Sequence, residues 1–112
     1  MRVITGTARG CRLETLSGDA TRPTAERVKE GLFSAIQFDL PDRRVLDLFA
    51  GSGQLGIEAL SRGAAACIFV DKNPQAVEVI RRNLHATKLS AVSEVIAVDA
   101  LTFLARTNDT FD

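Results

Sequence analysis

Little in this sequence suits metal or redox chemistry. Its two cysteines, Cys11 and Cys67, lie far apart and outside any C-x-x-C pair, so no zinc or redox motif can be read from them. Nor do they make a disulfide framework, which predicts a reducing, cytoplasmic setting. The one histidine, His85, falls near the end of a helical stretch. There it reads as a solvated residue facing the helix C-terminus rather than as a catalytic base. No apolar run is long enough to span a bilayer, so no membrane partner is expected. The opening "MRVITGTARG" lacks the apolar core of a secretory signal. Net charge is absent too: the formal value is zero, which predicts no polyanion partner from bulk charge alone. Its distribution is less even. Arg2, Arg9 and Arg12 make the first twelve residues basic, with no acid among them.

What is present is an ordinary globular composition, 46% hydrophobic and 25% charged over 112 residues. That is enough chain for one small domain with one core. "MRVITG" and "CRLETL" read as short strands joined by "TARG", a basic hairpin. With the loop "SGDATRPT" this makes an N-terminal unit of residues 1–22. Residues 23–112 form the rest. "PTAERVKEGLFSAIQF" is a helix, with Val28, Leu32 and Ile36 on one face and Gly31 as a flaw in it. Then strands and helices alternate. "RVLDLF", "AACIFVD" and "EVIAV" are short apolar strands, and "QLGIEALSR", "PQAVEVIRRNLHATKL" and "DALTFLAR" are helices. Gly63 suits the end of the first of these helices, and Asn73-Pro74 the start of the second. Cys67, Phe33, Phe38, Phe69 and Phe103 read as core.

A β-α-β-α-β order with nearly continuous apolar strands predicts a parallel sheet of the α/β class, covered by helices. Ligands of such sheets bind beyond the C-terminal ends of the strands. The loops there hold Asp47 to Gly53, Asp71 to Asn73, and Asp99 to Ala100. Gly51 and Gly53 let backbone approach a ligand, and Gly56 suits close helix–sheet packing. Asp71 lies where a carboxylate can accept hydrogen bonds from ribose hydroxyls.

Taken literally, Gly51-Ser52-Gly53-Gln54-Leu55-Gly56 matches the dinucleotide fingerprint G-x-G-x-x-G. Asp47 argues against that reading. A carboxylate about 4 Å from a phosphate costs roughly 4 kcal/mol at an effective dielectric of about 20. S-adenosyl-L-methionine offers an ammonium and a sulfonium instead, which a carboxylate attracts. Phe49 and Ala50 also lengthen the loop between strand and glycines. Each aspartate has a plainer reading beside this one: Asp47, Asp71 and Asp99 could each cap the helix that follows.

The stretches "VLDLFAGSGQLGIEALSRGA" and "FVDKNPQAV" resemble motifs I and II of class I S-adenosylmethionine-dependent methyltransferases. With "RVITGTARGCRLET" and "TRPTAERVKEGLFSAI" upstream, the chain resembles the bacterial 16S rRNA guanine-N2 methyltransferase family that modifies guanine 966. The resemblance implies a Rossmann-like sheet, represented here by its first three parallel strands with helices, after a small hairpin and helix. It implies methyl transfer to the exocyclic N2 of a guanine in 16S rRNA, within the small ribosomal subunit or an assembly intermediate, with no metal. It places Asp47, Gly51 and Gly53 at the methionine side of the cofactor, and Phe49, Ala50 and Ser52 among the cofactor-binding residues. Asp71 falls at the ribose, Lys72 is among the cofactor-binding residues, and Asp99 and Ala100 flank the adenine. Arg9, Arg12, Arg22 and Thr24, with Pro23 between the last two, fall where RNA is met.

The family's catalytic Asp/Asn-Pro-Pro-Tyr does not occur in this sequence, which has no tyrosine. "FD", Phe111-Asp112, resembles the opening of the strand that carries it, so the motif is expected after Asp112. The chain then reads as the cofactor-binding half, inactive alone, with an unpaired sheet edge that favours self-association. A non-catalytic cofactor- or RNA-binding module and a NAD-dependent oxidoreductase fragment remain as alternatives.

Overall fold

A computed structural model describes residues 3–14, 31, 39–48 and 50–107. Three strands, β1 (Arg44–Asp47), β2 (Ala66–Val70) and β3 (Ser93–Ile96), form one sheet in the order β1-β2-β3. Both pairings are parallel, with Val45 opposite Cys67 and Phe69 opposite Val95. Strands joined in this sense need long crossovers. Helix α1 (Gln54–Ser61) makes the first, and α2 (Pro74–Thr87) with a short 3₁₀ turn at Ser90–Val92 makes the second. Helix α3 (Ala100–Arg106) follows β3.

Alternation along the strands sorts the side chains onto two faces. Val45, Cys67, Phe69 and Val95 join Ile57 and Leu60 of α1 and Ile80 and Leu84 of α2 in the larger core. Leu46, Ile68, Val70 and Ile96 turn the other way and meet Phe103 of α3. Val77, Ile80 and Leu84 are buried along one side of α2, as their spacing predicts. Helix α1 comes very close to the sheet because Gly56 has no side chain. A Cβ there would lie 2.4 Å from Phe69 Cε1 and 2.8 Å from Cys67 Sγ. The helix ends expected from sequence are present: Asn73 Oδ1 accepts from the Gln75 N–H at 2.9 Å with Pro74 in the first turn, and Gly63 follows α1 at φ +105°.

The N-terminal segment differs from the expected pair of strands. The chain does reverse, with the Val3 N–H donating to the Cys11 carbonyl and the Gly10 N–H to the Val3 carbonyl. No run of paired strand forms among residues 3–14, however, because α1 takes the backbone donors instead. The Ile4 and Thr5 N–H groups donate to the Glu58 carboxylate at 2.8 and 3.1 Å. The Thr7 N–H donates to the Ser61 carbonyl, and the Ala8 N–H to Ser61 Oγ at 2.9 Å. Gly6 makes this approach possible, since a Cβ on it would stand 1.8 Å from the Ser61 carbonyl oxygen. The helix expected over 23–38 lies outside the described residues except Gly31, which is helical.

Candidate cofactor site

The loops after β1, β2 and β3 meet at one end of the sheet, and hydrogen bonds join them. The Ala50 N–H donates to the Val70 carbonyl at 3.2 Å, and the Asp71 N–H to the Ile96 carbonyl at 3.2 Å. Between the first two loops the link is a side chain. Asp71 Oδ2 accepts from the Gly51 N–H at 3.0 Å, while its Oδ1 accepts from the Asn73 N–H at 2.9 Å. A carboxylate has about four lone-pair sites, so both oxygens keep one for a further donor.

The glycine loop turns tightly into α1. Gly51 and Gly53 hold φ of +57° and +81°, values that favour glycine, and the Gly53 N–H closes a turn onto the Ala50 carbonyl at 2.7 Å. Among the described residues, none beyond its chain neighbours lies within 4 Å of where a Gly51 side chain would stand, so they leave that side of the loop open. Ser52 and Ala50 are buried beneath it. Gly53 occupies the N-cap of α1 and offers no side chain to cap it. Asp47 supplies the missing acceptor: its Oδ2 takes the Gly56 N–H at 3.2 Å. The plain capping reading of Asp47 is therefore realised. Burial holds the Asp47 carboxyl above its ordinary range, with the Gly56 N–H opposing that shift and the nearby charge of Asp71 adding to it.

Asp99 also caps. Its Oδ2 accepts from the Thr102 N–H at 3.3 Å at the start of α3, beside buried Ala100. Lys72 is exposed in the second loop. Arg9 and Arg12 are exposed on the N-terminal segment, apart from these loops in the chain and held on the far end of α1 through Ser61. Phe49, Arg22 and Thr24 lie outside the described residues. Cys67 is core, as expected: burial raises its thiol pKa strongly, and the charge of Asp47 adds to that.

Three polar residues of the site region were not singled out by the sequence reading. Asn83 of α2 is 1% exposed and donates through Nδ2 to the Ser52 carbonyl at 2.8 Å, inside the glycine loop. Glu58 is fully buried and paired with Arg62 at 2.9 Å while it holds Ile4 and Thr5. Gln54, the first residue of α1, carries a buried side-chain oxygen with no hydrogen-bond partner among the described residues. Helical spacing marks such positions as inward-facing, and polar residues at inward positions are the available clue. A hollow of about 330 Å³ lined by Arg44, Ala66, Ile68 and Glu94 sits at the opposite, N-terminal end of the strands. Sheets of this kind do not bind their ligands there.

The family described as "Conserved hypothetical protein 95" matches residues 1–112. The chain belongs to that family. Among curated relatives, "Putative rRNA methyltransferase YlbH" of Bacillus subtilis is 47% identical over 100 residues, covering 89% of this chain and 54% of that protein. "Ribosomal RNA small subunit methyltransferase D" of Haemophilus influenzae is 40% identical over 105 residues, covering 93% of this chain and 54% of that protein. A solved structure titled "Putative methyltransferase yhhF from Escherichia coli" superposes with a TM-score of 0.83 at 38% identity, over 94% of this chain and 56% of that one. The chain thus spans about half the length of the relatives it matches. The family resemblance and the Rossmann-like, class I methyltransferase sheet expected from the sequence are both borne out.

Proposed function

We propose that the chain forms the cofactor-binding part of an S-adenosylmethionine-dependent rRNA methyltransferase, acting on the exocyclic N2 of a guanine in 16S rRNA. Its setting would be the cytoplasm, and its partner the small ribosomal subunit or an assembly intermediate. The relatives' names supply the substrate class. The observation that carries the cofactor is the acidic glycine loop, in which Asp47 sits beneath α1 and already answers the Gly56 N–H. A pyrophosphate bound in the dinucleotide manner needs the positive end of that helix for itself. Here a carboxylate neutralises it, which favours a cationic ligand over a phosphate.

The residues present suit an adenosyl ligand on several counts. Open space beside Gly51 leaves room for the amino-acid tail. Gln54 Oε1 is an acceptor with no donor among the described residues, and an ammonium would provide one. Asp71 keeps acceptor capacity for ribose hydroxyls while its bonds to Gly51 and Asn73 fix its orientation. Asp99 and Ala100 would border the adenine. When bound, the cofactor supplies an electrophilic methyl group. The work of this chain is then to hold and orient it, which is the larger share of catalysis when little acid–base chemistry is needed. Exposed Arg9 and Arg12 would contact RNA phosphates, which fix orientation rather than sequence.

Calorimetric titration with S-adenosylhomocysteine, with NAD in parallel and Asp71→Asn as the variant, tests this reading. Binding of the adenosyl ligand alone is expected, weakened about tenfold or more in the variant, as loss of a charge-assisted hydrogen bond implies. NAD binding, or silence from both ligands in a folded sample, would sink it. The pH dependence sharpens the test. Because Asp47 is raised, the free protein loses stability as pH climbs from the ordinary carboxylate range through the Asp47 titration. An ammonium beside Asp47 favours the ionised form, so affinity should rise over the same window. Thermal melts with and without ligand across that range read both trends.

A further inference from the structure

Residues 3–14 are fastened to the domain at two places. Glu58 and Ser61 of α1 hold residues 4–8. The second fastening is on α2. Asn83 Oδ1 accepts from the Glu14 N–H at 2.7 Å, and its Nδ2 donates to the Glu14 carbonyl at 2.9 Å. The Glu14 carboxylate meanwhile meets Arg82 Nε at 2.7 Å on the surface. These two fastenings differ in one respect. That of Glu58 and Ser61 ends at α1, whereas the same Nδ2 of Asn83 also reaches the Ser52 carbonyl in the glycine loop at 2.8 Å. One buried amide therefore ties the backbone of the N-terminal segment to that of the loop.

We propose that Asn83 is a positioning residue that couples the N-terminal segment to the glycine loop, so that ordering one orders the other. This inference rests on the cofactor reading above for its functional meaning. Asn83 touches no ligand in it, and acts through Ser52 and Glu14. Its geometry leaves little slack. Rigid amide atoms meet backbone groups on both sides in a 1% exposed site, where an unmet polar group is costly. Coupling of this kind is reciprocal. A ligand seated on the loop should steady the segment that carries Arg9 and Arg12, and a partner on that segment should steady the loop.

The test compares Asn83→Ala with Ser61→Ala, which loosens the same segment at α1 and leaves the loop untouched. Amide hydrogen exchange and S-adenosylhomocysteine titration are run on the wild-type chain and both variants. Asn83→Ala should speed exchange in residues 50–56 and 3–14 together and weaken the ligand about tenfold, the factor set by about one unmet buried hydrogen bond. Ser61→Ala should speed exchange in residues 3–14 only and leave affinity unchanged. If Asn83→Ala does not fold, Asn83→Asp keeps the acceptor for Glu14 and opposes the Ser52 carbonyl with an oxygen. Wild-type exchange in residues 50–56 of the Asn83→Ala variant, or equal effects of the Asn83→Ala and Ser61→Ala variants, would overturn the proposal. A wild-type chain that binds no adenosyl ligand would refute the cofactor reading instead, while the exchange pattern still decides the coupling.

Discussion

The two faces of the sheet are not built alike. Under α1 and α2 the packing is dense: Phe69, Ile57 and Ile80 are fully buried, and the N-terminal segment adds Val3, Ala8 and Leu13. Among the described residues, the buried cluster on the opposite face is Ile68, Val70 and Phe103, with Leu46, Leu48, Ile96 and Val98 only partly covered. Helix α3 there leaves Leu101 76% and Leu104 49% exposed. The difference teaches where rigidity is placed. The closed face is the one that fixes α1, and with it the glycine loop and the Asp47 bond to Gly56.

Removing a large side chain from each face sharpens this contrast most. Phe69→Ala should cost about 3–5 kcal/mol, the range for a large core truncation. Phe103→Ala should cost about 2 kcal/mol, because half-open neighbours let the site close or hydrate. Chemical denaturation of both variants measures the gap, and equal losses would erase the distinction between the faces. A smaller effect is expected at Gly56→Ala. Its Cβ would press on Phe69 and Cys67, and overpacking costs about 1–3 kcal/mol, partly offset by a helix-propensity gain of about 1 kcal/mol. S-adenosylhomocysteine affinity should fall alongside, since the helix that Asp47 caps must move. The smallest effect belongs to the open face. Leu101→Lys should change stability by no more than about 0.5 kcal/mol, as exposed substitutions do. Sedimentation should show less self-association in that variant if the open face drives it. Unchanged association would rule out the Leu101 face as the contact.

Much of this fold was legible locally. Short, nearly continuous apolar runs located the strands, helical spacing located α2, and Asn73-Pro74 and Gly63 marked helix ends, because each of these is decided by neighbours within a turn. Asp47, Asp71 and Asp99 were legible as a set at the strand ends. That Asp47 and Asp99 cap helices was one of two open readings, and local sequence could not choose between them. The N-terminal segment was harder. Its residues suit paired strands, yet its donors go to Glu58 and Ser61, more than fifty positions away in the chain.

The sequence by itself determined the order of elements, the glycine loop and the acidic character of the strand ends, since these follow from composition and spacing. Tertiary structure alone decided which polar groups would be buried together. Asn83 meets Glu14 across 69 positions and Ser52 across 31. Glu58 owes its role to segments that reach it only after the crossovers have formed. A buried polar group is stable only when it finds a partner, and that partner is set by packing rather than by proximity along the chain.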